Sequence, residues 1–249
     1  MSGRKWLSLL LLLGLTSSVN SGEPSTGFLN KVFKADQNNS KYVLFVPHDY
    51  KGDKEYPLIL FLHGAGERGT DGEKQVKQGI GNAIKFKEKE KKFPFIVILP
   101  QCSPKGSWTA DGADGKRAMA ILDETQKTYK VDGKRVYLTG LSLGGYGTWS
   151  LAAAHPERWA AIAPICGGKA KDADTMQIAE RVKDIPIWCF HGASDKTVPA
   201  ERSRELIKAL QSVGASPRYS EFPHVGHNSW DPAYTTEELY SWLLSHKKK

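Results

Sequence analysis

Residues 135–145 read Arg-Val-Tyr-Leu-Thr-Gly-Leu-Ser-Leu-Gly-Gly, and this stretch decides the fold. The run 135–139 predicts a short buried strand, and a helical pattern follows at 143–155. Ser142 therefore stands on a tight strand-to-helix turn with a glycine two residues to either side. Such a turn lifts a serine hydroxyl above the sheet, where the helix N-terminus favours developing negative charge. We predict a nucleophilic serine; the alternative is a glycine-rich packing turn.

Strand-like and helix-like segments alternate on both sides of this turn. The other predicted strands are 42–47, 57–62, 95–99, 159–165, 185–190 and 218–222, and the other predicted helices are 74–89, 116–129, 175–182, 200–213 and 236–245. This alternation predicts an α/β fold, with a mostly parallel central sheet covered by helices. Functional side chains are then expected in the loops beyond the carboxyl ends of the strands.

A serine hydroxyl needs a general base, and histidine titrates in the required range. Of the seven histidines, His227 lies in a polar loop after the last predicted strand and before the last predicted helix. In α/β folds with a serine turn of this kind, the histidine base is expected after the last strand of the sheet. His224, three residues earlier, is the alternative.

Asp195 is the candidate for orienting the imidazole and stabilising its charged form. Asp195 follows the predicted strand at 185–190. The chain order is therefore Ser142, Asp195, His227, as expected for a fold with such a serine turn. One alternative is that Asp195 only caps the helix that follows. Asp231 and Glu221 are weaker candidates for the same role.

Acyl transfer also needs hydrogen-bond donors for a tetrahedral oxyanion. The backbone N–H of Leu143, directly after the serine, is one candidate donor. The glycine-rich loop that follows the strand at 57–62 is expected to supply the other, from Ala65 or alternatively from Gly66.

Two tryptophans and three charged residues lie near these segments in the sequence. Trp108 and Trp230 are candidates for an aromatic wall that contacts substrate, and a core or loop-anchoring role is the alternative. Glu67, Arg68 and Asp71 extend the glycine-rich loop, and we expect them to fix its shape rather than to contact substrate.

The N-terminus is typical of a secretory signal peptide. Arg4 and Lys5 precede an apolar stretch at 6–15, which is shorter than the roughly 20 apolar residues of a membrane span. We predict cleavage after Ser21, one catalytic domain over 22–249, and a secreted or periplasmic protein without stable membrane insertion. An uncleaved anchor is the alternative.

Charge and cysteine content exclude other classes of protein. The net charge of +8 comes without the interleaved aromatic residues of a nucleic-acid groove, so we expect no nucleic-acid partner. The chain has three cysteines, Cys102, Cys166 and Cys189, too few for a disulfide scaffold. No pair of them has the spacing of a zinc site, and no metal is expected.

The motifs resemble those of single-domain carboxylesterases of the α/β-hydrolase fold, the phospholipase/carboxylesterase and dienelactone-hydrolase-like proteins. The matching stretches are FLHGAGERG at 61–69, GLSLGGYG at 140–147, HGASD at 191–195 and GHNSW at 226–230. The chain is also similar to exported feruloyl and acetylxylan esterases and to polyhydroxyalkanoate depolymerases. It departs from dienelactone hydrolases in having serine as the nucleophile.

The resemblance implies an α/β-hydrolase whose catalytic triad is Ser142, Asp195 and His227. It also implies an oxyanion hole made by Ala65 and Leu143, and no cofactor.

Only a short segment separates the strand that ends near residue 165 from the one that begins at 185, so no large cap domain is expected. An open site suits soluble or polymer-attached esters better than long lipid chains. The predicted substrates are short acyl or aroyl esters, either small molecules or polysaccharide-linked. The alternatives are a serine peptidase of the prolyl-oligopeptidase type and a non-catalytic secreted binding module.

Overall fold

A computed structural model describes residues 24–34, 39–86 and 89–248. Eight strands form one sheet in the order β1-β2-β4-β3-β5-β6-β7-β8. They are β1 (Gly27–Phe33), β2 (Ser40–Val46), β3 (Tyr56–Leu62), β4 (Ile96–Pro100), β5 (Val131–Leu141), β6 (Ala161–Ile165), β7 (Trp188–Gly192) and β8 (Arg218–Phe222). The β1–β2 and β2–β4 pairs are antiparallel, and the remaining pairs are parallel.

Helices cover both faces of this sheet. They are α1 (Gly79–Lys85), α2 (Lys89–Lys92), α3 (Ala113–Thr128), α4 (Leu143–Ala154), α5 (Thr175–Val182), α6 (Glu201–Ser212), α7 (Trp230–Thr235) and α8 (Glu237–Ser245). Along β3 the fully buried side chains alternate between two cores: Leu58 and Leu60 pack with α3 to α6, whereas Ile59 and Phe61 pack with α1, α7 and α8. The predicted α/β-hydrolase fold is confirmed.

The segment between β6 and α5, where no large cap domain was expected, is short and irregular. Residues 166–174, between β6 and α5, contain turns and bends but no helix or strand. The carboxyl edge of the sheet is therefore open above β5, β6 and β7, as predicted.

The prediction of a continuous helix over 74–89 is wrong. Residues 74–76 form a short 3₁₀ turn, and α1 starts at Gly79, whose φ of +60° is left-handed. A Cβ at Gly79 would lie 2.7 Å from Cδ2 of Leu141 and 2.8 Å from Cζ of Phe61, so tertiary contacts impose the break. Phe86 then leaves the helix in an extended conformation.

Three of the strands and helices given above were not predicted: β1, α2 (Lys89–Lys92) and α7. The edge strand β1 (Gly27–Phe33) pairs with β2 and is buried only at its two end residues, Gly27 and Phe33. The short helix α7 (Trp230–Thr235) follows the histidine loop directly.

The predicted signal peptide at 1–21 lies outside the described residues. Within 24–34, 39–86 and 89–248, every helix is too short or too polar to cross a membrane.

Candidate active site

Ser142 lies between β5 and α4 with φ 52° and ψ −114°, a left-handed backbone that side chains rarely adopt. Its N–H donates to the carbonyl of Ile165 over 3.0 Å, which ties the turn to β6. A Cβ at Gly144 would lie 1.9 Å from the carbonyl oxygen of Leu62, and one at Gly140 would lie 2.4 Å from the carbonyl oxygen of Gly144. Both glycines are therefore required because helix, turn and strand approach each other so closely.

His227 joins Ser142 to Asp195. Its Nε2 lies 2.9 Å from Oγ of Ser142, and its Nδ1 lies 2.7 Å from Oδ2 of Asp195. Because a carboxylate only accepts, Nδ1 carries the proton, and Nε2 is left to accept from the serine hydroxyl. This is the tautomer that a general base needs.

The Asp195 carboxylate is fixed on both oxygens. Its Oδ1 accepts from the N–H of Thr197 at 2.8 Å and of Val198 at 2.9 Å, while Oδ2 faces His227. Burial alone would raise its pKa, but the hydrogen bonds from His227, Val198 and Thr197 outweigh burial and hold the pKa below its usual value. Asp195 is therefore ionised at neutral pH.

The alternative candidates are engaged elsewhere. His224 is exposed, with a left-handed φ of 60°. Glu221 pairs with Arg204, and Asp231 accepts from the side-chain amide of Asn228. Asp195 makes no side-chain cap to α6, whose N-cap is Ala200. The structure thus brings together the three residues predicted first.

The loop after β3 is held at its base by His63. Its Nε2 accepts from the N–H of Cys102 at 2.9 Å, so Nδ1 carries the proton and donates to the carbonyl of Gly64 at 2.6 Å. Burial lowers the pKa of His63 to about 4, which leaves it neutral. His63 is thus a structural brace rather than a base.

The same loop passes directly against Ser142. A Cβ at Gly64 would lie 3.7 Å from Cβ of Ser142, and Ala65 begins the 3₁₀ turn that follows. Leu143 is the first residue of α4, where a backbone N–H has no acceptor within the helix. The two segments predicted to supply oxyanion donors therefore flank the serine.

Two partly buried acidic residues lie on the loop after β3 and its continuation. Asp71 accepts from the N–H of Glu73 and of Lys74 at 2.7 and 2.9 Å. Burial would raise its pKa, but these bonds lower it to about 2. Glu67 is half-buried, and burial raises the pKa of its carboxyl.

The chain also matches a known protein family over most of its length. Residues 35–235 match the Dienelactone hydrolase family. The chain belongs to that family. With the neighbouring structures, the membership makes it an α/β-hydrolase of the carboxylesterase type.

Individual relatives in the comparison are esterases by name. The Aspergillus niger protein "Probable feruloyl esterase C" is 27% identical over 90% of this chain and 81% of its own length. "Probable carboxylesterase SOBER1-like" of Arabidopsis thaliana is 30% identical over 75% of this chain and 77% of its own. The crystal structure of a thermostable esterase superposes with a TM-score of 0.78 at 38% identity, covering 88% of this chain. This chain spans 63% of that longer chain.

The two tryptophans have different places in this dienelactone hydrolase family member. Trp108 is 1% exposed, and its indole N–H donates to the carbonyl of His63 over 3.0 Å, so it anchors a loop. Trp230 is half-buried, with its ring 5.4 Å from that of His227 and at 88° to it. Trp230 therefore contacts the candidate base.

A mostly apolar pocket of about 320 Å³ opens beside Leu143. Its walls include Trp108, Tyr146, Ser150 and Ala170. Leu143, Tyr146 and Ser150 lie on one face of α4, so the pocket runs along the helix that starts at Ser142. The motif spacing located this helix, but the pocket depends on how the loop at 107–109 packs across it.

Two further residues lie at the site that were not predicted to belong to it, His191 and Cys166. His191, fully buried, lies 3.3 Å from the Asp195 carboxylate, 2.8 Å from the carbonyl of Val198 and 2.7 Å from Oγ of Ser203. Cys166 is buried directly behind Ser142, with a left-handed φ of 39°. The available sequence signal was position alone: Cys166 directly follows β6, and His191 is the last residue but one of β7.

Proposed function

We propose that this protein is a secreted serine esterase that hydrolyses short acyl or aroyl esters, including esters carried on polysaccharides. The observation that carries the proposal is the hydrogen-bonded chain from Ser142 through His227 to Asp195, with distances of 2.9 and 2.7 Å. Nucleophile, base and orienting carboxylate in contact are what acyl transfer through an acyl-enzyme requires.

In the proposed mechanism, Nε2 of His227 takes the proton of Ser142 as Oγ attacks the ester carbonyl. Asp195 stabilises the imidazolium that forms. The backbone N–H groups of Leu143 and Ala65 donate to the tetrahedral oxyanion, each contributing about 10²–10³ in rate. His227 then gives the proton to the departing alcohol, and water repeats the sequence on the acyl-enzyme.

The substrate class rests on the shape of the site and on the relatives. The apolar pocket of about 320 Å³ beside Leu143 is at the low end of small-molecule sites, which suits an aromatic ring or a short acyl chain. Among the described residues, no cap covers the carboxyl edge of the sheet, so an ester attached to a polymer has access. Similarity to proteins named feruloyl esterase and acetylxylan esterase supports the same class.

Export remains a prediction from the N-terminal sequence. Arg4, Lys5 and the apolar stretch at 6–15 support a signal peptide that is cleaved after Ser21. N-terminal sequencing of the protein recovered outside the cytoplasm tests it.

The function is tested by comparing ester hydrolysis by the native protein, Ser142→Ala and the matched surface control Ser241→Ala. The panel contains p-nitrophenyl esters from acetate to palmitate, methyl ferulate, an acetylated xylo-oligosaccharide and an arylamide peptide. We expect activity on the short, aroyl and carbohydrate esters, lost in Ser142→Ala and kept in Ser241→Ala. A preference for palmitate, or amide cleavage as fast as ester cleavage, would contradict the proposed substrate class.

A further inference from the structure

Cys166 follows β6 and lies directly behind the hydrogen-bonded chain of the site. Its side chain is fully buried, and its N–H donates to the carbonyl of Phe190 over 2.8 Å, so β7 fixes its position. Burial raises the pKa of this thiol to about 12, while interactions with the backbone N–H of Ser142 and the hydroxyl of Ser229 lower it. The proposed esterase mechanism gives this thiol no role.

The thiol is one member of a cluster of metal-ligating atoms. Sγ of Cys166, a carboxylate oxygen of Asp195 and a ring nitrogen of His227 lie within 4.8 Å of one another. Sulfur, imidazole nitrogen and carboxylate oxygen are the ligand types that bind Zn²⁺, at bond lengths of about 2.0–2.3 Å. Tetrahedral ligands at those lengths lie about 3.5 Å apart, so closing around an ion requires movements of about 1 Å.

A second observation points to the same place. The hydroxyl of Ser229 is fully buried and has no hydrogen-bond partner of normal geometry within residues 24–34, 39–86 and 89–248. Buried hydroxyls are otherwise satisfied by protein or by an ordered water. This hydroxyl also acts on the Cys166 thiol, whose pKa it lowers, so it can supply a fourth ligand or hold a water that does so.

We propose that Cys166, Asp195 and His227 form an inhibitory binding site for a thiophilic divalent cation such as Zn²⁺ or Cd²⁺. On binding, the thiol releases its proton to solvent and the thiolate, imidazole and carboxylate coordinate the ion. The inhibitory effect of the ion rests on the proposed esterase function. Binding of the ion requires only the side chains of Cys166, Asp195 and His227.

Inhibition follows whichever nitrogen of His227 binds. If Nδ1 coordinates the ion, the imidazole proton moves to Nε2, which then has no lone pair to accept the proton of Ser142. If Nε2 coordinates the ion, the same lone pair is taken directly. The ion enters past His227, whose side chain is 23% exposed, whereas the Asp195 side chain is fully buried.

The test is a Cd²⁺ titration read in two ways: sulfur-to-cadmium charge-transfer absorption in the ultraviolet, and inhibition of ester hydrolysis. It compares the native protein with Cys166→Ser and with the matched control Cys189→Ser, whose native thiol is also buried and bonds Oγ of Ser203. We expect a single Cd²⁺ per chain, an absorption band missing only in Cys166→Ser, and inhibition reversed by EDTA. The inhibitory Cd²⁺ concentration should rise more than about 100-fold in Cys166→Ser. Mutation of a residue that only supports a metal ligand already lowers metal affinity by about 10–100-fold, and this change removes a ligand itself.

Two further variants keep the outcome decisive. Ser142→Ala should retain the absorption band, so the site is tested even if the protein proves inactive on esters. His227→Ala, which keeps the thiol, should weaken Cd²⁺ binding and serves if Cys166→Ser does not fold. A band that persists in Cys166→Ser, an affinity unchanged in His227→Ala, or no band in the native protein would overturn the proposal.

Discussion

Trp108 donates its indole N–H to the main-chain carbonyl of His63 over 3.0 Å, and the two rings meet edge to face at 5.1 Å. Trp108 thus fixes His63, the residue directly before the loop that contains Gly64 and Ala65. The position of the proposed oxyanion donors therefore depends on a residue that is itself almost completely buried.

Trp108→Phe should impair turnover more than substrate binding. The change removes the donor and leaves the buried carbonyl of His63 unpaired, which costs about 1–3 kcal/mol of unfolding free energy. We expect kcat to fall by about tenfold with KM changed much less, because the loop positions oxyanion donors. Steady-state kinetics on p-nitrophenyl acetate and urea unfolding measure both effects. A change confined to KM would assign Trp108 to substrate binding instead.

Asp195→Asn should lower kcat by about 10³–10⁴-fold with the fold intact. An amide at this position no longer fixes the imidazole tautomer or stabilises the imidazolium, as in the equivalent change in trypsin-like proteases. Glu221→Gln is the matched control, since that carboxylate pairs with Arg204 and should be dispensable for turnover. If Glu221→Gln lost more activity than Asp195→Asn, the assignment of the carboxylate would be wrong.

Stability should decrease as the pH falls from about 6.5 to 4 because of His63. The unfolded histidine binds its proton near pH 6.5, whereas burial keeps the folded one neutral down to about pH 4. The unfolded state therefore binds more protons across this window, which lowers the free energy of unfolding by about 3 kcal/mol.

Urea unfolding of the native protein and His63→Gln at pH 7.0 and 4.5 measures this effect. The variant should be less stable at pH 7.0 but lose less stability on acidification. His246→Gln is the control on a partly exposed histidine. Identical pH dependence in His63→Gln and the native protein would rule out the buried imidazole as the cause.

Gly144→Ala should destabilise the protein by about 3 kcal/mol or more, because the added Cβ would lie 1.9 Å from the carbonyl oxygen of Leu62. Gly133→Ala is the matched control, since no described atom lies within 4 Å of its added Cβ. Thermal unfolding of both variants tests the packing of α4 on β3. Equal melting temperatures would contradict it.

The fold and the central residues could be predicted because their signals are local. The strand before Ser142, the glycines around it and the order Ser142, Asp195, His227 all follow from short stretches of sequence. Position on the sheet then brings distant loops together, since parallel strands present their carboxyl ends at one edge.

Other features could not be predicted because tertiary contacts decide them. The break at Gly79 is imposed by Phe61 and Leu141, which come from β3 and β5. Cys166 resembles a small buried apolar residue in sequence, and only the adjacency of β6 to β5 sets it behind Ser142. Whether Trp108 contacts substrate or anchors a loop depends on its hydrogen bond to His63.

The central claim, that Ser142 is the nucleophile and His227 its base, is tested most directly by covalent labelling with a fluorophosphonate probe. Mass spectrometry locates the adduct after reaction with the native protein, Ser142→Ala and His227→Ala. We predict stoichiometric labelling of the peptide that contains Ser142, none in Ser142→Ala, and strongly slowed labelling in His227→Ala. An adduct on another residue, or labelling of Ser142→Ala at the native rate, would contradict the account.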